Sequence, residues 1–134
     1  MNNKDASIQL KLAKAWSLLA EVDVLIQHQF YITAINRLYY SCFHATKALL
    51  LTKELVPKTH SGVVSTLHQH FVQDGSFDFE QASFFSRLMQ ERIEDDYNDF
   101  MIVDEAEVKE FIEPSKAYVT YVGQLIEKYL ARQV

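Results

Sequence analysis

The sequence predicts an all-α protein, an antiparallel up-and-down bundle of about five helices. Three observations predict it. Apolar residues recur at three- and four-residue spacing along most of the chain, and no alternating strand pattern of any length competes. The 134 residues include only 3 Gly and 2 Pro, too few for a loop-rich β architecture. Residues able to cap helices stand where one apolar run gives way to the next.

The elements follow in order. A first helix is expected over Ser7–Gln27, with Leu12, Ala15, Trp16, Leu19 and Val22 as its buried stripe. A second is expected over Tyr31–Thr52. Residues 53–58 form a connection in which Pro57 stops continuation, because proline lacks the backbone donor and clashes with the preceding turn. A third runs from His60 to Val72, with Val63, Val64, Leu67 and Phe71 facing inward and Thr59 or Ser61 as its cap. Asp74-Gly75-Ser76 is a turn, and Asp78 with Gln81 resembles a capping box. The fourth helix carries Phe84, Phe85, Leu88, Met89 and Ile93 and ends near Tyr97-Asn98. Asp104 with Glu107 resembles a second capping box, opening a last helix that runs to about Leu130 and is expected to kink or break at Pro114.

With 49% apolar and 23% charged residues the chain has a globular composition, and one domain over residues 1–134 is expected. Cys42 is the only cysteine, so no intramolecular disulfide and no cysteine-based metal site can form; a buried, inert thiol is expected. The polar N-terminus and the lack of an apolar run of roughly 18 residues lead to a cytoplasmic expectation, with no membrane contact. The net charge of −5 argues against a general nucleic-acid binder. Its distribution is uneven. Residues 30–70 hold Arg37, Lys47, Lys53 and Lys58 against Glu54 alone, whereas residues 74–113 hold 13 acids against Arg87, Arg92 and Lys109. The basic segment is suited to an anion, and the acidic one to solvent or a basic partner.

The second helix holds the residues with chemical potential. Arg37 and His44 are seven positions apart, and seven steps of an α-helix return to within about 20° of the starting direction. Arginine can grip a phosphate and histidine can move a proton near neutral pH. On a helical wheel Asn36, Tyr40, Ser41 and Lys47 fall on the same arc. Ala34, Ile35, Leu38, Tyr39, Cys42, Phe43, Ala45, Leu49 and Leu50 fill the opposite one. Lys58 and His60, at the start of the third helix, extend this set as phosphate-binding candidates, since free backbone donors and the helix dipole favour an anion there. His68 and His70 diverge on a helix and do not make a metal site. Arg92 and Asp96 are spaced for an ion pair, and Tyr97 for packing on the bundle. Asp95, Asp96 and Asp99 lack the spacing and glycine of an EF-hand.

The run Asn36-Arg37-Leu38-Tyr39-Tyr40-Ser41-Cys42-Phe43-His44-Ala45, followed by Pro57-Lys58-Thr59-His60-Ser61-Gly62 and by Arg92-Ile93-Glu94-Asp95-Asp96-Tyr97, resembles the HEPN superfamily of small helical domains. The likeness extends from about Leu12 to Tyr97. The family signature is an Arg, four to six residues, then a His; six residues separate Arg37 from His44. The resemblance implies a homodimer in which the Arg–His faces of two subunits share a cleft, and no cofactor. It also implies metal-independent endoribonuclease activity, often as a toxin paired with a nucleotidyltransferase antitoxin. In that role Arg37 would neutralise phosphate charge, His44 would act as base or acid, and Tyr40 and Ser41 would hydrogen-bond phosphate or sugar, with RNA or a nucleotide as ligand. The alternative is a catalytically silent nucleotide-binding or interaction subunit of such a pair. Two positions depart from the pattern. Leu38 stands where many active members carry a polar residue, and Thr46 stands where some carry a modifiable Tyr.

Overall fold

The structure, a computed structural model, describes residues 2–97 and 103–132, with the backbone alone over 93–97. It contains five α-helices: α1 (Asn3–Gln27), α2 (Tyr31–Leu51), α3 (His60–Leu67), α4 (Phe79–Tyr97) and α5 (Glu105–Ala131). No strand occurs among the described residues. The third predicted helix is present over its full span but changes pitch. Past Leu67 it continues as a π-helical turn, His68–Val72, whose buried Phe71 is the anchor.

The helix ends are locally determined. Asn2 caps α1 by accepting from the Asp5 N–H at 2.7 Å, which places the start one turn before Ser7. At its other end Gln29 adopts a left-handed conformation (φ 63°), and the Phe30 N–H reaches back to the Leu25 carbonyl at 2.8 Å. Thr59 caps α3 through the Gly62 N–H, 2.9 Å. A Cβ on Gly62 would meet that threonine oxygen at 2.8 Å, so this cap in its present form requires glycine. Asp78 accepts from the Gln81 N–H and Asp104 from the Glu107 N–H, the N-cap half of each predicted box; the Asp78 N–H donates instead to the Tyr121 hydroxyl at 2.8 Å. The break offered as one outcome at Pro114 does not occur: α5 is continuous from Glu105 to Ala131.

Helix α2 is the centre. It packs against α1, α3, α4 and α5, and its whole predicted apolar arc is buried. Facing it on α1 are Ile8, Ala15 and Val22, spaced by seven, with Leu19. Trp16 does not join them. It is 44% exposed, since it stands 100° around the helix from Ala15, outside the strip α2 covers. From α5 come Val108, Tyr118, Val119, Val122 and Ile126; from α4 come Ala82, Phe85 and Leu88. Phe84 and Met89 are half-buried against this core. The predicted roles of Ile93, Asp95, Asp96, Tyr97, Asn98 and Asp99 lie outside the described side chains.

Most polar groups inside the core are internally satisfied; the buried Ser115 hydroxyl is the exception, with no partner among the described residues. Thr46 is fully buried; its hydroxyl donates to the Cys42 carbonyl at 2.7 Å and meets the Tyr118 hydroxyl at 2.6 Å. Cys42 is fully buried and its thiol is pushed up to about 12 by loss of solvent, in keeping with an inert role. Leu38, also fully buried, sits in the most enclosed part of α2. Replacing it with Ala is expected to cost about 2–5 kcal/mol, the range for emptying a leucine site in a core. Urea unfolding followed by circular dichroism measures this; a loss under about 1 kcal/mol contradicts the packing described.

Candidate functional site

Burial of the apolar arc leaves one narrow edge of α2 open, and that edge runs along the seam with α1. The two helices are antiparallel, so positions seven apart pair in reverse order. Arg37 lies beside Glu21, His44 beside Lys14 and Lys11, and Leu51 near Ser7. Arg37 and His44 therefore occupy successive stations of one seam, about 10 Å apart along the axis at 1.5 Å per residue.

At the first station Arg37 Nε is 2.7 Å from Glu21 Oε2. Both side chains are substantially exposed, and such a pair contributes about 0–1 kcal/mol. The guanidinium also borders an open hollow with Ala20, Val24 and Leu25. At the second station His44 is half-buried and lines an open groove of about 310 Å³ with Ser7, Leu10, Lys11, Lys14 and Lys47. Burial lowers the His44 imidazole from its ordinary 6.5 to about 4, and Lys14, Lys47 and Lys11 push it the same way. His44 is neutral at pH 7 as a result.

On its other flank His44 meets an aromatic cluster. The Tyr40 ring lies 6.3 Å from His44 and the Phe43 ring 5.7 Å. Phe43 stacks on His60 with centroids 4.5 Å apart. His60 Nδ1 is 2.6 Å from the Tyr39 hydroxyl, so the α3 start is pinned to α2 by one hydrogen bond and one stack. Tyr39 is fully buried, and its hydroxyl pKa is raised by that burial. His60 is lowered by its own desolvation, with Arg92 and Lys47 adding to it. Arg92 of α4 donates to the Tyr40 hydroxyl at 2.6 Å and lies over the Tyr39 and Tyr40 rings.

The predicted site residues thus divide. Arg37, His44 and Lys47 lie on the seam. Tyr40 borders His44, but its hydroxyl is engaged by Arg92. His60 joins the aromatic side rather than a helix-start anion site, because Tyr39 occupies its Nδ1. Asn36 is half-buried, and its Oδ1 has no partner among the described residues. Lys58 is exposed in the connection before α3. Ser41 corrects the wheel: it is fully buried and its hydroxyl donates to the Leu38 carbonyl at 2.7 Å, so it does not project with Arg37 and His44. A serine can enter a helix interface at little cost by bonding its own backbone in this way. Ser7, Lys11 and Lys14 were not predicted. The signal was present as two lysines three apart on α1, but only the pairing of α1 with α2 connects them to His44. Among the described residues no three of His, Cys, Asp or Glu converge as metal ligands. Nor is any helix long and apolar enough to cross a membrane.

A five-helix bundle whose central helix presents an Arg and a His along one open seam defines a class of small helical domain. The chain belongs to the HEPN domain family, which it matches over residues 8–125. It is 31% identical over 127 residues to a UPF0332 protein of Thermotoga maritima, covering 95% of this chain and 96% of that one. It is 30% identical over 130 residues to "Putative toxin MJ0605" of Methanocaldococcus jannaschii, covering 96% of each. "Putative toxin MJ0142" of the same organism is 37% identical over 87 residues, 65% of this chain and 59% of that one.

The lowered His44 fixes the sign of a pH dependence. Between about pH 6.5 and 4 the unfolded chain binds a proton that folded His44 refuses. Stability contributed by neutral His44 is therefore complete above 6.5 and is lost as pH falls toward 4; His60, also lowered, acts in the same direction. Thermal melts from pH 7.5 to 4 are expected to decline, and His44→Gln is expected to flatten the decline. An imidazole titration of His44 near 6.5 by NMR would contradict the site as described.

Proposed function

We propose that this protein is a metal-independent endoribonuclease of the toxin type. The observation that carries the reading is His44, held neutral among three lysines in an open groove, on the same seam as Arg37. A neutral imidazole at pH 7 is a competent base, and the cations around it draw in a phosphate. His44 takes the proton of a ribose 2′-hydroxyl. The 2′-oxygen attacks phosphorus, the bond to the 5′-oxygen breaks, and a cyclic phosphate and a free 5′-hydroxyl result. The leaving oxygen needs a proton, and negative phosphate beside a second His44 raises that imidazole enough to carry one. Arg37 neutralises charge on the phosphorane once it exchanges Glu21 for phosphate.

The two-histidine requirement supports a homodimer with the seams of two copies facing each other. Arg37 and His44 of one copy stand two turns apart, so a facing antiparallel copy brings the Arg37 of one toward the His44 of the other. Relatives named as toxins support an antitoxin partner, and the resemblance specifies a nucleotidyltransferase for it. Thr46 lies sealed against Tyr118, so control by nucleotide transfer to that position has no exposed acceptor here. A second reading, a non-cutting nucleotide-binding or interaction subunit, is favoured by one observation: Glu21 already engages the Arg37 guanidinium.

Purified protein incubated with RNA in EDTA is expected to cut it and leave cyclic phosphate ends. His44→Ala and Arg37→Ala are each expected to lower the rate about 10²-fold or more, the usual scale for losing a general base or a phosphate-stabilising group. RNA left intact by the wild type, with nucleotide or partner binding retained, overturns the nuclease in favour of the second reading.

A further inference from the structure

We propose that the α1–α2 groove is a nucleotide subsite adjoining His44, built by Ser7, Lys11 and Lys14 of α1 together with the apolar loop after α2. Two hollows meet here. The cationic one, about 310 Å³, lies under Lys11, Lys14 and Lys47 beside His44. The second, about 260 Å³, shares Ser7, Lys11 and Lys47 and ends against Leu51, Leu55, Val56 and Pro57. The two hollows adjoin across Ser7, Lys11 and Lys47, so three ammonium groups stand next to an apolar shelf, which is the order of chemistry along a nucleotide from phosphate to base. Together the hollows have the size of small-molecule sites.

The charges are uncompensated. Three other lysines are paired, Lys53 with Asp74, Lys109 with Glu105 and Lys116 with Glu113, whereas among the described residues Lys4, Lys58 and Lys128 stand singly and do not converge on a hollow with other cations. Among the described residues Lys11, Lys14 and Lys47 have no carboxylate within ion-pair distance. Packing does not account for them either. Lys14 is exposed, and Lys11 is held toward the groove floor by donating to Ser7 Oγ at 2.9 Å. Lys47 rests with its ammonium 5.3 Å from the Phe43 ring, on the wall that also carries His44. In a chain of net charge −5, three unneutralised lysines around an imidazole are a local attraction for phosphate. The apolar end is equally uncovered: Val56 is 65% exposed and Leu10, on the cationic side, 71%. A base laid on Val56 and Leu55 removes apolar surface from water, while its phosphates meet the lysines. An acidic protein segment would satisfy the lysines and leave the shelf bare, so the nucleotide is the better fit.

This inference rests on reading the seam as an RNA site, and the experiment keeps the two apart. A labelled single-stranded RNA decamer is titrated by fluorescence anisotropy across salt concentrations against four proteins. These are wild type, Lys11→Glu/Lys14→Glu, Val56→Ser, and Lys128→Glu as a control for charge elsewhere; circular dichroism melts verify folding. The double variant is expected to weaken binding at least tenfold at about 50 mM salt. It should also flatten the log–log salt slope by about 1.4, the value for two lost single-strand phosphate contacts. Val56→Ser is expected to weaken binding several-fold with the slope unchanged, and Lys128→Glu to match wild type. Competition with AMP identifies the source: displacement by AMP shows that a free nucleotide suffices, and displacement only by oligomers assigns the groove to an RNA strand. Equal affinity and slope in wild type and the double variant overturn the subsite, as does failure of wild type to bind either RNA or AMP. Lysine-dependent binding without cutting preserves the subsite and removes the nuclease; cutting with KM unchanged in the double variant does the reverse.

Discussion

The structure depends on the burial of α2. Its apolar arc spans most of the helix circumference, so it can be covered only by neighbours on several sides, and α1, α3, α4 and α5 supply them. A helix surrounded in this way cannot rotate without driving Leu38, Tyr39 or Cys42 into solvent. Its remaining polar edge is thereby fixed in direction to within a small angle. Any chemistry on α2 has to use that edge, and the α1–α2 seam determines what surrounds it.

The seam separates two electrostatic environments along a single helix. At one station an acid of α1 faces Arg37 and balances it. Two turns on, burial lowers the His44 imidazole and the lysines of α1 that face it add to the effect. The same helix pair thus balances a cation at one station and holds an imidazole below its ordinary pKa at the next. The aromatic cluster on the opposite flank, from Tyr40 through Phe43 to His60, ties α3 and α4 to the back of this edge.

The helices and most of their ends were legible in the sequence because they rest on local interactions; the start of α1, capped by Asn2, was placed one turn late. A cap is made between residues three apart, so Asp78 with Gln81 and Asp104 with Glu107 could be placed without knowledge of the rest, and the third helix's cap narrowed to Thr59 or Ser61, of which Thr59 serves. The apolar arc of α2 was legible because its residues are too large and too numerous to remain in water. Of the candidate site, Arg37, His44 and Lys47 were legible as an arc. Ser41 was not, because its hydroxyl donates to the Leu38 carbonyl and so permits burial that its polarity alone opposes. Trp16 was misplaced for the converse reason: a large apolar residue next to a stripe is not necessarily within it.

What the sequence determined by itself is the all-α class, the order of the helices with most of their limits, and the direction in which Arg37 and His44 leave α2. Each follows from spacing along one chain segment and the geometry of a helix. What only the tertiary structure decided is the company those residues keep: Glu21 beside Arg37, Lys11 and Lys14 beside His44, Tyr39 on His60 and Arg92 on Tyr40. These partners come from other helices, and a helical wheel fixes an angle without saying which neighbour lies across it. The charge state of His44 belongs to this second group, because burial and the field of lysines some thirty positions away in sequence set it.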